Sequence, residues 1–263
     1  MDLGLSGKRA LVLGASRGIG RGIAGALAAE GARVIVASRD EAACIDVAER
    51  IERDHRTEAH GFACNMADVA TVDAIAEFAT TTFGGVDVLV NNTGGPPFGP
   101  VSEVNSESWR ESFESMFVSV TRLTGHLLPG MRERGWGRIL LVTSTGVVEP
   151  IPTLGISNSL RIALTNWAKT LSFEIAADGV TINSLMPGRI DTDRIEQLYK
   201  MIASKQDKDV DAVREEDVGQ IPMGRVGTVA EFGAMAAFLA GEQAGYITGT
   251  ATAIDGGLTQ RAV

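Results

Sequence analysis

Tyrosine occurs only at Tyr199 and Tyr246, cysteine only at Cys44 and Cys64, and histidine only at His55, His60 and His126. Two cysteines this far apart make no disulfide framework and match no zinc or redox spacing. With the histidines scattered as well, no protein-built metal site is expected. Positive charge is also short. Lys and Arg number 24 against 33 Asp and Glu, for a net charge of -9, the wrong sign for gripping nucleic-acid phosphates. No apolar run is long enough to span a bilayer, and the N-terminus lacks the charged and apolar regions of a signal peptide. These absences predict a cytoplasmic protein with two ordinary thiols, no metal, no nucleic-acid partner and no membrane span.

What is present is aliphatic. Aromatic residues make up 5% of the chain while hydrophobic residues reach 44%, so the core has to come from Ala, Val, Leu and Ile. The 263 residues suffice for one large α/β domain or two small ones. The densest pattern runs from Arg9 to Val36. Arg9–Leu13 is almost wholly apolar, as in a strand buried on both faces. Gly14, Gly18 and Gly20 follow, then Ile23, Ala24, Leu27 and Ala28 at helical spacing, then the strand Val34–Val36. Glycines between a strand and a helix let the backbone approach a ligand closely, while the free N–H groups of the helix face an anion. A diphosphate is the expected guest.

The alternation continues. Strands are predicted at Ala59–Ala63, Val86–Val90, Arg138–Thr143, Thr181–Met186 and Ala251–Ile254. Helices are predicted near Glu41–Arg53, Val69–Phe83, Ser106–Arg134 and Ile156–Ala177, with a capping box Thr228-x-x-Glu231 opening the last one. Alternating strands and helices, without linker, repeat or low-complexity segment, predict a single domain spanning residues 1–263. Its architecture is α/β, a Rossmann-type doubly wound parallel sheet with helices on both faces. The polar stretch Asp191–Gln220, carrying Tyr199, is either a mobile substrate flap or a solvated insertion.

Five stretches in order resemble the short-chain dehydrogenase/reductase family, nearest in character to its 3-oxoacyl carrier-protein reductases. They are Gly14-x3-Gly18-x-Gly20, Asn91-Asn92-Thr93-Gly94, Pro187-Gly188-Arg189-Ile190-Asp191-Thr192, Ile221–Arg225 and Asp255-Gly256-Gly257. The resemblance implies that Gly14, Ser16, Arg17, Gly18, Ile19 and Gly20 surround a cofactor diphosphate. Asn92 and Gly94 would pass beside the adenosine ribose, and Pro187, Gly188, Ile190 and Thr192 would meet the nicotinamide. Asn65, with Met66 beside it, stands where the family often has an adenine-contacting Asp. Ser38 takes the position that is usually acidic in NAD-preferring members. With Arg39 next to it and Arg17 in the glycine loop, a 2′-phosphate could be met by two guanidinium groups, so NADP(H) is expected over NAD(H).

The family's chemistry departs here. It uses a Ser, a Tyr-x3-Lys pair and a supporting helical Asn. Aligned without gaps, the chain puts Ser157 at the Tyr position and Arg161 at the Lys position, with Ser144 thirteen residues before Ser157 and Met116 at the Asn position. Neither tyrosine is followed by a Lys four residues later. Ser157 and Arg161, at i and i+4, share one helix face. A serine hydroxyl is a far weaker acid than a phenol, whereas Arg161 stays charged and can bind the cofactor by holding ribose hydroxyls or polarise a carbonyl with a fixed positive charge. Met116 lies on the stripe Trp109, Phe113, Met116, Phe117, Val120, Leu123 and Leu127, which reads as core. Ser157 also fits the plain role of a small polar residue at a helix start.

The candidate catalytic residues are therefore Ser144, Ser157 and Arg161. One reading is an NADP(H)-dependent oxidoreductase of a small-molecule carbonyl or alcohol with an atypical proton route, the proton coming from water, Tyr199 or the substrate. The other is a catalytically inactive NADP(H)-binding regulatory or partner protein. A methyltransferase fits poorly, since Pro187–Thr192 and Asp255–Gly257 have no role there. Family habit and the apolar faces of the two long helices imply a homo-tetramer or homo-dimer.

Overall fold

A computed structural model describes residues 1–261. The chain alternates β1 (Arg9–Leu13), α1 (Gly18–Ala29), β2 (Arg33–Ser38), α2 (Glu41–His55), β3 (Ala59–Ala63), α3 (Val69–Phe83) and β4 (Val88–Asn91). It continues through α4 (Ser106–Phe113), α5 (Ser119–Glu133), β5 (Gly137–Val142), α6 (Gly155–Ile175) and β6 (Val180–Pro187), then α7 (Asp193–Gln206), α8 (Val210–Val218), α9 (Val229–Ala240) and β7 (Ala251–Ile254). All seven strands pair in parallel, in the order β3-β2-β1-β4-β5-β6-β7. This is the expected doubly wound Rossmann-type sheet. Strand order reverses between β1 and β4, and ligands of such sheets bind where that reversal opens a crevice.

Alternation along each strand distributes the core over two faces. In β1, Ala10 and Val12 join Val34 and Val36 of β2 on one face, where Ile23 and Leu27 of α1, Ile51 of α2 and Phe232 of α9 cover them. Leu11, Leu13, Ile35 and Ala37 face the other way, under Val72 and Ile75 of α3, Val120 and Leu123 of α5, and Leu164 of α6. That two-sided burial is why the strands read as continuous apolar runs. The thiols take part in the same packing. Burial pushes Cys64 up to about 11 and raises Cys44 as well, so both are poor nucleophiles at neutral pH.

Two sequence expectations need correction. Ser106–Arg134 is not one uniform helix, because a π turn, Glu114–Val118, separates α4 from α5. Such a turn inserts one extra residue and rotates the helix beyond it. Phe113 is consequently exposed, stacked on Phe117 at 5.2 Å, whereas Met116 is buried with Ile156 and Leu160 of α6. The segment after β6 is not a solvated insertion. It folds into α7 and α8 around a small core of its own, Tyr199, Ala203 and Val213. Among the described residues no helix is long and apolar enough to cross a membrane, and no cluster of metal-binding side chains occurs.

Candidate active site

The loops leaving the C-terminal ends of β1, β4, β5 and β6 meet around a cavity of about 390 Å³. Thirteen of the candidate residues line it: Arg17, Gly18, Ile19, Arg39, Asn92, Gly94, Ser144, Ser157, Arg161, Pro187, Gly188, Ile190 and Thr192. Residues more than a hundred positions apart in sequence thus share one space.

Gly14 and Gly20 stand behind the lining and shape it. A Cβ on Gly20 would collide with the Gly14 carbonyl, and one on Gly14, at φ 59°, with the Asn92 carbonyl. The Asn92 amide donates to the Gly14 carbonyl at 3.1 Å, tying the loop after β4 to the loop after β1. Only glycine allows this approach.

Helix caps mark the same place. α2, α3, α4, α8 and α9 begin with a side chain accepting from a first-turn N–H, and α9 carries the full capping box of Thr228 and Glu231. α1, α6 and α7 begin without one, and the residues at their starts, Arg17, Leu154 and Thr192, all line the cavity. First-turn N–H groups left without a side-chain acceptor favour negative charge.

Arg161 is the most unusual group in the site. The residue is 8% exposed, and no carboxylate among the described residues pairs with it. Its Nε donates to Ser157 Oγ at 3.3 Å, one terminal nitrogen to the Val142 carbonyl at 2.6 Å, and the other to the Thr93 carbonyl at 3.4 Å. Burial, with a smaller contribution from nearby Arg194, pushes its pKa down to about 10. It therefore stays protonated at neutral pH. Ser144 Oγ accepts from the Gly146 N–H at 3.0 Å, so both serines accept through oxygen and keep an O–H to donate.

Six candidates do not line the cavity: Gly14, Gly20, Ser16, Ser38, Asn65 and Met66. Ser38 Oγ accepts from the Asp40 N–H at 3.3 Å and lies 3.1 Å from Cys44 Sγ. Asn65 Oδ1 accepts from the Ala67 N–H at 3.2 Å in a local turn. Tyr199 is a clear correction. Its side chain is buried in the α7–α8 core, donates to Asp217 at 2.9 Å, and has its pKa raised by burial and by that carboxylate. It is not placed to protonate anything in the cavity.

Several residues of the site escaped the sequence. Arg194 lies 4.0 Å above the ring of Phe98 and donates to the Pro96 carbonyl at 3.1 Å. Asn158 grips Ile151 through both ends of its amide, at 2.9 and 3.4 Å. Thr153 sits at φ 67°, a left-handed conformation that is costly for a β-branched residue. Its carbonyl accepts from the Gly99 N–H at 2.9 Å, joining the loop after β5 to the loop after β4. An arginine in a charged segment, or a threonine in a loop, carries no signal of such a role.

A family model described as enoyl-(acyl carrier protein) reductase matches residues 14–259. The chain is 34% identical to the 3-oxoacyl-[acyl-carrier-protein] reductase FabG of Vibrio cholerae, over 97% of this chain and 99% of that one. L-sorbose reductase from Gluconobacter frateurii, solved with NADPH and L-sorbose, matches with a TM-score of 0.95 at 31% identity over 100% of both chains. YwfH, an NADPH-dependent reductase involved in bacilysin biosynthesis, matches with a TM-score of 0.93 at 31% identity, covering 98% of this chain and 100% of its own.

Proposed function

The chain belongs to the short-chain dehydrogenase/reductase family, and from that premise we propose that it is an NADP(H)-dependent oxidoreductase of a small-molecule carbonyl or alcohol, using Arg161 where relatives use a Tyr-Lys pair. The observation that carries this reading is a permanent cation, more than nine-tenths buried, on the lining shared with the glycine loop.

The cradle suits a dinucleotide. Gly14 and Gly20 close the loop against Asn92, and α1 starts with neither a side-chain cap nor an acidic residue in its first turn. A diphosphate would satisfy those N–H groups. Arg17 and Arg39 line the same opening, and two guanidinium groups match a 2′-phosphate better than the ribose hydroxyls of NAD(H). Asp193 of α7 lies 3.7 Å from Arg17, so cofactor binding would compete with a contact to that helix. When bound, NADP(H) supplies or accepts the hydride.

The chain's own residues handle the oxygen. Arg161 stabilises negative charge developing on the substrate oxygen, and in a poorly solvated site a fixed cation does so without reorganising. Ser157, accepting from Arg161, can donate its O–H to the same oxygen, and Ser144 can do likewise. Neither hydroxyl is acidic enough to give up its proton to a carbonyl, so the proton comes from water. General-acid help is typically worth about 10²–10⁴-fold, so its loss slows the reaction without forbidding it. α7 and α8 act as the substrate flap. Phe113 on α4 and Ile162 and Phe173 on α6, all exposed, form the contact of a homo-oligomer.

The test is direct. NADPH should protect the fold from heat more than NADH does, and Arg39→Ala should narrow that gap. NADPH oxidation should appear with some member of a panel of ketones, enones and oxo acids. Tight NADPH binding with no turnover across the panel would overturn the enzymatic reading.

A further inference from the structure

The buried cation says more about the substrate. Resting on the reading above, we infer that the substrate carries a carboxylate, held by Arg161 on the lining of the cavity and by Arg194 at its mouth.

A guanidinium has five N–H donors. Arg161 uses three of them, one on each nitrogen, which leaves one spare N–H on each terminal nitrogen. One of these spare donors serves the reacting oxygen and the other is free for a carboxylate oxygen, which Arg194 shares. Charge points the same way. The three acceptors of Arg161 are two carbonyls and a hydroxyl, and the charge acting on it is another cation, Arg194. Burying an unpaired charge is expensive, and ribose hydroxyls, being neutral, do not offset it. An anionic ligand does.

Arg138 is a useful comparison. It too is buried without a paired carboxylate. Three carbonyls, from Gly137, Gly179 and Gly241, and the face of Trp136 surround it, and Glu242 acts on it with the compensating sign. It does not line the cavity. Arg161 makes the same number of hydrogen bonds but lacks the acidic neighbour, and it does line the cavity.

Two further features agree. α6 starts at the cavity with neither a side-chain cap nor an acidic residue in its first turn. Arg194 is held over Phe98 and against Pro96 with no carboxylate partner among the described residues. Asp193, the acidic side chain on the lining, is directed to Arg17. Phe98, Ile151, Leu154, Ile195 and Leu198 complete the wall, so the body of the ligand is apolar. A neutral acyl thioester would leave the charge of Arg161 without a counter-charge in the ground state.

Matched probes decide this. Benzoylformate and 4-oxo-4-phenylbutanoate, each beside its methyl ester, are titrated calorimetrically into the protein with and without NADPH. Each acid should bind about tenfold or more tightly than its ester, the span expected for hydrogen bonds to a charged group. Arg194→Gln should reduce that preference and Arg161→Gln should abolish it, while Arg161→Lys should retain part of it. Should Arg161→Gln fail to fold, the Arg194→Gln and Arg161→Lys results stand in its place. Esters binding as well as the acids would overturn the inference. NADPH binding is read separately in the same titrations. Its failure would sink the cofactor assignment, while the acid-against-ester comparison would still decide the anion question on the unliganded protein.

Discussion

At the scale of single residues, Arg161 sets function against stability. Replacing it by Met removes a desolvated cation but leaves the Val142 and Thr93 carbonyls without their donor. The two effects oppose each other, so melting should change little. On the proposed role of Arg161, turnover should fall by about 10²–10³-fold. A melting temperature that collapses together with activity would make Arg161 a structural residue. The resemblance singled out Met116, Ser157 and Arg161 at the expected Asn, Tyr and Lys positions, and the i, i+4 spacing of the last two made their shared place on the cavity lining legible. Arg194 and Asn158 were not legible, because their roles depend on Phe98 and Ile151 arriving from other loops.

At the scale of elements, most boundaries followed from local chemistry. β1, β3, α3 and β7 occupy the expected residues, and Thr228 with Glu231 forms the expected capping box, Thr228 Oγ1 accepting from the Glu231 N–H at 3.1 Å. Thr228→Ala should lower the melting temperature by about 2–4 °C, the usual effect of one cap in a chain of this size, measured by calorimetry. The π turn was invisible because the hydrophobic stripe from Trp109 to Leu127 tolerates a one-residue slip. The α7–α8 segment was half legible. Its polarity showed on the sequence, but the packing of Tyr199 against Val213 requires α8 to fold back on α7.

At the scale of the molecule, Asp87 joins elements at the N-terminal ends of the central strands β1 and β4, remote from the cavity. It accepts from the Arg9 main-chain N–H at 3.0 Å and from Arg9 Nε at 2.7 Å, and it pairs with Arg134 at 3.2 Å. Burial alone would raise its pKa, but the arginines outweigh burial and hold it below the ordinary value. A carboxyl whose folded pKa is depressed contributes stability above its unfolded pKa, near 4, and loses that contribution as pH falls through the folded value. Urea midpoints should therefore drop between pH 5 and pH 3, and Asp87→Asn should flatten that limb while lowering the midpoint at pH 7. On the proposed homo-oligomer, Phe173→Glu with Ile162→Asp should shift sedimentation toward the monomer. An unchanged sedimentation coefficient would remove that contact from consideration.

The scarcity of tyrosine gives the α7–α8 core one more consequence. Tyr199 is sealed at 1% exposure while Tyr246 stands fully in solvent, so the chain carries one protected phenol and one open one. A reagent that nitrates phenols should mark Tyr246 at once and Tyr199 only when α7 and α8 part from each other. The slow phase of that reaction would time the separation of α7 from α8, and a ligand that braces the two helices together should lengthen it.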